Sequence, residues 1–484
     1  MTPRYRASRT AFHPGLLREN AIGRREALKR IGAVAGAAAL APLVKGCSDA
    51  SSSSGQLTPE ELGLETLVVV MMENRSFDHY LGSLSLLEGR TIDGLQSGFS
   101  NTASDGSRVG ISRSDIRCVT DPPHGFNATH RQVNGAAMDG FVRENSASNG
   151  EEHAGEVMGY HVRDQIPFTY ALSDEFVTCD RWFCSVQAPT WPNRFYLHSA
   201  QSNGRKSNDF PEDPDGFKWP TIYDSLDRAG IPWKYYYIDL PFLALFASLR
   251  PQSSKIVPLT EFFEDARSGT LPPVAVVDPG FLSNDDHPPH DIRLGQAFLS
   301  SIVHSLGQGP QWSRSMFVLT YDEHGGFFDH VPPPAVEDER AAEGFGDLGV
   351  RVPSQIASPF AKPGFTDSTV YEHSSVAAFI EWWLGLDPLT VRDANANVFL
   401  EAIDATLVRR DDPRPLPALP IVEVDPDDVP AECIGVEGVG AQDLAVLADA
   451  GGIPAALDRR RETTATLRTI SRELLRMGAG RRRR

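Results

Sequence analysis

Two short, almost wholly apolar runs stand out along the chain, Leu-Val-Val-Val-Met-Met at 67–72 and Met-Phe-Val-Leu-Thr-Tyr at 316–321. Runs without polar alternation predict strands buried on both faces. Shorter strands are predicted at 233–238 and 274–277. Between them the period changes: at 291–306 Phe298, Leu299, Ile302, Val303 and Leu306 fall on one helical stripe, and a second helix is predicted at 376–384 behind a Ser374-Ser375 cap. Strands alternating with amphipathic helices predict an α/β fold with a mostly parallel central sheet covered on both faces. The Pro and Asp density at 411–430 predicts an extended linker, and 455–477 a further helix.

Both ends differ from this middle. Residues 1–47 read as an address label: Arg24-Arg25 precede a fourteen-residue apolar run at 31–44, too short to span a bilayer comfortably. The pattern resembles a bacterial twin-arginine signal, so the protein is expected to be exported, to a periplasmic, secreted or lipid-anchored location. Cys47, followed by a Ser-rich stretch, resembles a lipoprotein site, although Lys45 departs from the small residue usual there. This divides the chain into a signal at 1–47, a flexible spacer at 48–63, a catalytic domain at 64–405, and a linker with a basic helical tail at 406–484.

Charge adds an exclusion. The 484 residues carry a net charge of −18, yet 1–45 and 455–484 each carry +7, which leaves −32 on the interval between them. An interior this acidic repels nucleic acid, and a phosphate-bearing substrate needs a locally positive site, for which bound metal is the direct means. Cys118, Cys179, Cys184 and Cys433 fit no zinc spacing and leave three disulfide pairings or free buried thiols open.

The two long strands are each followed at once by hard oxygen donors, Glu73-Asn74 and Asp322-Glu323. In an open α/β sheet ligands gather beyond the carboxyl ends of the strands, so both pairs should meet in one cleft. Oxygen donors suit Ca, Mg or Mn better than a soft metal.

Four segments then carry a resemblance: Glu73-Asn74-Arg75-Ser76-Phe77-Asp78-His79-Tyr80, Ala188-Pro189-Thr190-Trp191-Pro192-Asn193-Arg194, Asp286-His287-Pro288, and the stretch from Thr320 through Asp322-Glu323-His324-Gly325-Gly326 to Pro332. In this order they resemble the phosphoesterase family of bacterial and plant non-specific phospholipases C and related bacterial acid phosphatases. The resemblance implies an alkaline phosphatase-like three-layer α/β/α sandwich and a hydrolase of phosphoester bonds. It implies Thr190 as a nucleophile passing through phosphothreonine, and one divalent cation held by Glu73, Asn74, Thr190, Asp322 and Glu323. It also implies His124 and His287 as phosphate-contacting or acid/base groups, with His290, His330 and His373 as weaker candidates and His79 as a brace.

Asn74, Arg194 and Trp191 are expected at the substrate, Arg194 on phosphoryl oxygens or a neighbouring carboxylate and Trp191 as an aromatic face for a choline cation. The β-rich segments that follow the catalytic domain in larger relatives have no counterpart here, which makes lipid cleavage less firmly implied than phosphoester hydrolysis. Phospholipid or another phosphoester is the expected partner, with transient membrane-surface contact. Monoester hydrolysis and an inert acidic binding protein of the same fold are the alternatives.

Overall fold

The computed structural model describes residues 56–252, 254–425, 428–430, 433 and the helix Arg459–Arg481, whose side chains are described from 464 to 477. The expected signal, Cys47 and the first half of the spacer, 48–55, lie outside the described residues. The last part of the spacer is helical: Pro59–Leu62 is closed by a capping box between Thr58 and Glu61, with Leu57 and Leu62 buried.

Eight strands form the central sheet. They are β1 (Thr66–Met72), β2 (Val177–Cys179), β3 (Trp233–Tyr237), β4 (Ile256–Pro258), β5 (Val274–Val277), β6 (Ser315–Tyr321), β7 (Gln355–Ala357) and β8 (Phe365–Asp367). Their order across the sheet is β8-β2-β7-β6-β1-β5-β3-β4, and β7 alone among them runs against the rest. Every residue of β1 and β6 is buried, as their unbroken apolar runs require.

Helices Pro167–Glu175, Leu259–Ser268, Ile292–Gln308 and Arg459–Arg481 pack together as one layer. Thr190–Ser199, Ile222–Ala229, Ser374–Leu384 and Val391–Asn395 pack as the other, with the sheet between them. The α/β sandwich with a mostly parallel sheet is therefore observed.

Register decides where chemistry can sit. β1 lies between β6 and β5, parallel to both, with Met72 opposite Tyr321 and Val70 opposite Val277. The residues that follow these three strands, Glu73, Asp322 and Asp278, therefore leave the sheet at one edge. The Asp322 amide donates to the Met72 carbonyl at 2.9 Å, which extends the ladder one residue past the strands.

Two local expectations change. Ser374 and Ser375 are inside their helix, where the Ser375 hydroxyl accepts from the Glu372 amide at 3.1 Å. The C-terminal region is not a pendant tail, because Leu467, Ile470 and Leu474 are buried against the layer that contains Ile292–Gln308. A helix with basic residues along its outer face still needs an apolar stripe to hold it. Leu474→Ala is accordingly expected to lower unfolding free energy by about 3 kcal/mol in urea denaturation. No change in the midpoint would mean that this helix is not part of the cooperative unit.

Candidate active site

The strand ends gather five buried carboxylates, Glu73, Asp278, Asp285, Asp322 and Glu323, beside the buried Arg194. Backbone hydrogen bonds fix them. The Glu73 amide donates to the Asp285 carbonyl at 2.8 Å, and the Arg75 amide to the Glu323 carbonyl at 3.1 Å. Asn74 turns into the left-handed region, φ 59°, and its amide donates to Asp322 Oδ1 at 2.9 Å. Gly325 passes so close that a Cβ there would stand 2.2 Å from the Asn74 carbonyl oxygen, which explains the glycine.

Thr190 opens the helix Thr190–Ser199, with Pro189 preceding it. Its turn is held by Asn193, fully buried, which accepts from the Val186 amide at 3.0 Å and donates to the carbonyls of Val186, Ala188 and Pro189 at 3.2, 2.8 and 3.3 Å. Arg194 follows Thr190 by one helical turn and so shares its face. Its Nε donates to Glu73 Oε1 at 3.1 Å, Nη1 to Asp278 Oδ1 at 3.2 Å and Nη2 to the Met71 carbonyl at 3.0 Å. Of the two contacts expected of Arg194, the structure shows the neighbouring carboxylate and corrects the phosphoryl one, since the guanidinium is committed to Glu73, Asp278 and the Met71 carbonyl.

Trp191 is corrected too. One residue on from Thr190 it is rotated about 100° round the helix, packs edge-on against Phe210 and Phe242, and keeps only 4% of its surface exposed. No open aromatic face remains for a choline cation.

The site fits a cation. Among its buried atoms Asn74 Oδ1, Asp285 Oδ2, Asp322 Oδ2 and Glu323 Oε1 have no hydrogen-bond partner. Uncompensated buried oxygen of this kind costs several kcal/mol per charge unless a positive group neutralises it. Glu73 is already paired with Arg194. Asp285, absent from the expected ligand set, joins the cluster. Hard oxygen donors of this kind are what Mg, Ca or Mn requires.

The electrostatics carry the same stress. Burial and Asp322 raise the Glu73 carboxyl well above its ordinary range, and burial with Glu323 pushes Asp322 up to about 7. Burial would also raise Glu323, but His124, His324 and the Gly325 amide together hold it low.

His124 stands at the rim of the cluster. Its Nδ1 lies 2.7 Å from the Pro122 carbonyl and 3.5 Å from Asp121 Oδ1, and its Nε2 lies 3.2 Å from Asn74 Nδ2 and 3.9 Å from Glu323 Oε1. Burial alone would lower this imidazole; Glu323, Asp121 and the Pro122 carbonyl outweigh it and raise it to about 9. His287 faces it, with ring centroids 5.6 Å apart.

The other candidate histidines have partners of their own, two of them within the cluster. His290 Nδ1 is 2.6 Å from Asp285 Oδ1. His330 bridges Asp78 and Asp93, beside the buried Arg351 that pairs with Asp78 and Asp329. His373 accepts from the Trp182 indole at 3.3 Å and donates to the Asp322 carbonyl at 2.6 Å, while burial lowers it to about 3 and keeps it neutral. His79 donates from Nδ1 to the Gly159 carbonyl at 2.6 Å, and its Nε2 lies 3.0 Å from Arg75 Nη1. Tyr235, on β3, is bound to Asp278.

Comparison with known proteins places this arrangement in a class. The Phosphoesterase family profile matches residues 64–387. Non-specific phospholipase C1 of Arabidopsis thaliana is 36% identical over 379 residues, covering 69% of this chain and 70% of that protein. Phospholipase C A of Mycobacterium tuberculosis is 29% identical over 427 residues, covering 75% of this chain and 81% of that protein. A solved protein of the alkaline phosphatase superfamily from Vibrio parahaemolyticus aligns at 11% identity over 68% of each chain with a TM-score of 0.32, too loose to add to the argument. The chain is a hydrolase of phosphoester bonds. It belongs to the Phosphoesterase family.

Two outcomes follow from this geometry. Asn193→Asp, which sets a carboxylate against three carbonyl oxygens, is expected to cut kcat by about 100-fold with little change in KM, as misplacement of a reacting group does; an unchanged kcat would remove the positioning role. The second concerns pH. Glu73, Asp322 and His124 have folded-state pKa values raised above their unfolded ones, so their contribution to stability is fully present below the unfolded values and is lost as pH rises through the folded ones. Chelator-treated protein should therefore unfold more easily in urea at pH 8 than at pH 5, and added Mn²⁺ should stabilise it more at pH 8. Equal cation stabilisation at both pH values would contradict this charge assignment.

Proposed function

We propose that this chain is an exported, divalent-cation-dependent phosphodiesterase of phospholipase C type that works through a phosphothreonine intermediate. The observation that carries the reading is the set of unpartnered buried oxygens beside a helix whose first residue is Thr190. Glu73, Asn74, Asp322 and Glu323, with Thr190, would hold the cation, and Asp285 lies within the same cluster. Such an ion supplies positive charge that lowers the pKa of the threonine hydroxyl and offsets charge on the phosphoryl oxygens.

The chain's own groups do the rest. Thr190 Oγ1, its proton released to solvent, attacks phosphorus; the Oγ1–P bond forms as the bond to the alcohol breaks. His124 or His287 in its protonated form gives the leaving oxygen its proton. Water then attacks phosphorus, the same imidazole takes its proton, and Thr190 departs and regains one from solvent. Arg194 keeps Glu73 in place throughout.

The names of the relatives favour phosphodiester lipids as substrates, reached by brief contact with a membrane surface. Export is supported by the Arg24-Arg25 signal and by the Cys118–Cys433 disulfide, which suits an oxidising compartment. The acidic interior argues against nucleic acid as a substrate.

Thr190→Val, nearly equal in volume, is expected to lower turnover of bis(p-nitrophenyl) phosphate by about 10⁴-fold or more while the protein remains folded. Near-normal turnover would remove the nucleophile. Diester and phosphatidylcholine rates should exceed the p-nitrophenyl phosphate rate; the reverse order would favour a phosphatase.

A further inference from the structure

The C-terminal segment does more than leave the domain. Its course can be followed against the helix Ile292–Gln308. Asp411 pairs with Arg314 below the start of β6, and the Arg414 carbonyl accepts from the Trp312 indole at 2.9 Å. Leu416 then sits on Gly307, where a Cβ would meet it at 2.4 Å. Ser300 accepts from the Val422 amide at 3.3 Å and donates to the Pro420 carbonyl at 3.4 Å, and the Cys433 carbonyl accepts from the Asp291 amide at 3.3 Å. The described residues of the segment therefore run antiparallel to the helix, from the pole remote from the strand ends at Asp411 to the pole that carries the site at Cys433.

There it is tied down twice. Asp291 is the cap of that helix and directly follows the loop of His287 and His290. Cys433 is also joined by a disulfide to Cys118, 315 residues away in sequence and only six before His124. Hydrogen bonds local to the His124 loop, from Asn149 to the Asp121 carbonyl and from Gln132 to the Pro123 carbonyl, both at 2.7 Å, anchor it to its own flank. The crosslink instead reaches across to the loop of the facing histidine.

We propose that the Cys118–Cys433 disulfide is a positioning element that sets His124 against His287, so that oxidation of this pair completes the active site. The inference rests on the roles given to these histidines under Proposed function. On oxidation each thiol gives up one proton and one electron, the sulfur–sulfur bond forms, and an oxidant of the disulfide class is reduced to two thiols. A precursor kept reduced before export would hold the two imidazoles less well placed, and full turnover would appear only in an oxidising compartment. Cys179 and Cys184, free and buried, take no part.

The test uses the full chain as Cys118→Ser and as Cys433→Ser, together with wild type reduced by a phosphine, each well below its unfolding temperature. Expected for all three is a kcat on bis(p-nitrophenyl) phosphate lowered about tenfold or more, a KM within about twofold, a shifted basic limb of the pH profile, and unchanged Mn²⁺ stoichiometry. Oxidised glutathione should restore wild type and neither variant. Full kcat with an unaltered pH profile would overturn the inference, as would activity lost only in proportion to folded protein or bound Mn²⁺. Thr190→Val separates the two levels. If that variant stays active the functional reading falls; if it is inactive while the cysteine variants are fully active, the positioning role alone falls.

Discussion

Everything at this site depends on negative charge that the protein buries and does not itself neutralise. Parallel pairing of β1 with β6 and β5 delivers Glu73, Asp322 and Asp278 to one edge of the sheet, and Asp285 and Glu323 join them. Within a low-dielectric interior like charges this close cannot all be ionised without a counter-charge. Arg194 supplies one, through Glu73 and Asp278. Asn74 Oδ1, Asp285 Oδ2, Asp322 Oδ2 and Glu323 Oε1 are left without a hydrogen-bond partner, and a hard divalent cation is the kind of group that would satisfy such oxygens.

The surrounding loops are held by buried arginines that do no chemistry. Arg351 ties Asp78 of the first motif to Asp329 of the last, and Arg392 ties Glu372 to Asp338. Breaking one partner of such a pair leaves a charge uncompensated and costs about 3–5 kcal/mol. Rigid loops are what a mechanism built on positioning needs, because the reacting groups must already be aligned when the substrate arrives.

The long strands and the site's main donors were legible because each was a continuous apolar run ending in an acid. Asp278 follows 274–277 in the same way, but a single acid after a four-residue run does not stand out from ordinary strand-end polarity. β2, β4, β7 and β8 are three-residue strands, too short for any periodicity to declare them. Spacing along a helix shows which residues share a face but not what that face meets, so it leaves open which of its two expected partners Arg194 takes and does not reveal that Trp191 is buried. Asn193 and the Cys118–Cys433 link depend on contacts that only the folded backbone brings together, and four cysteines left three pairings open.

A crystal soaked in Mn²⁺ and measured at the manganese absorption edge should show one anomalous peak about 2.0–2.6 Å from the side-chain oxygens of Asn74, Asp322 and Glu323, with Thr190 beside it. A crystal that shows no peak there, or shows manganese only elsewhere on the molecule, would contradict a cation at this cluster.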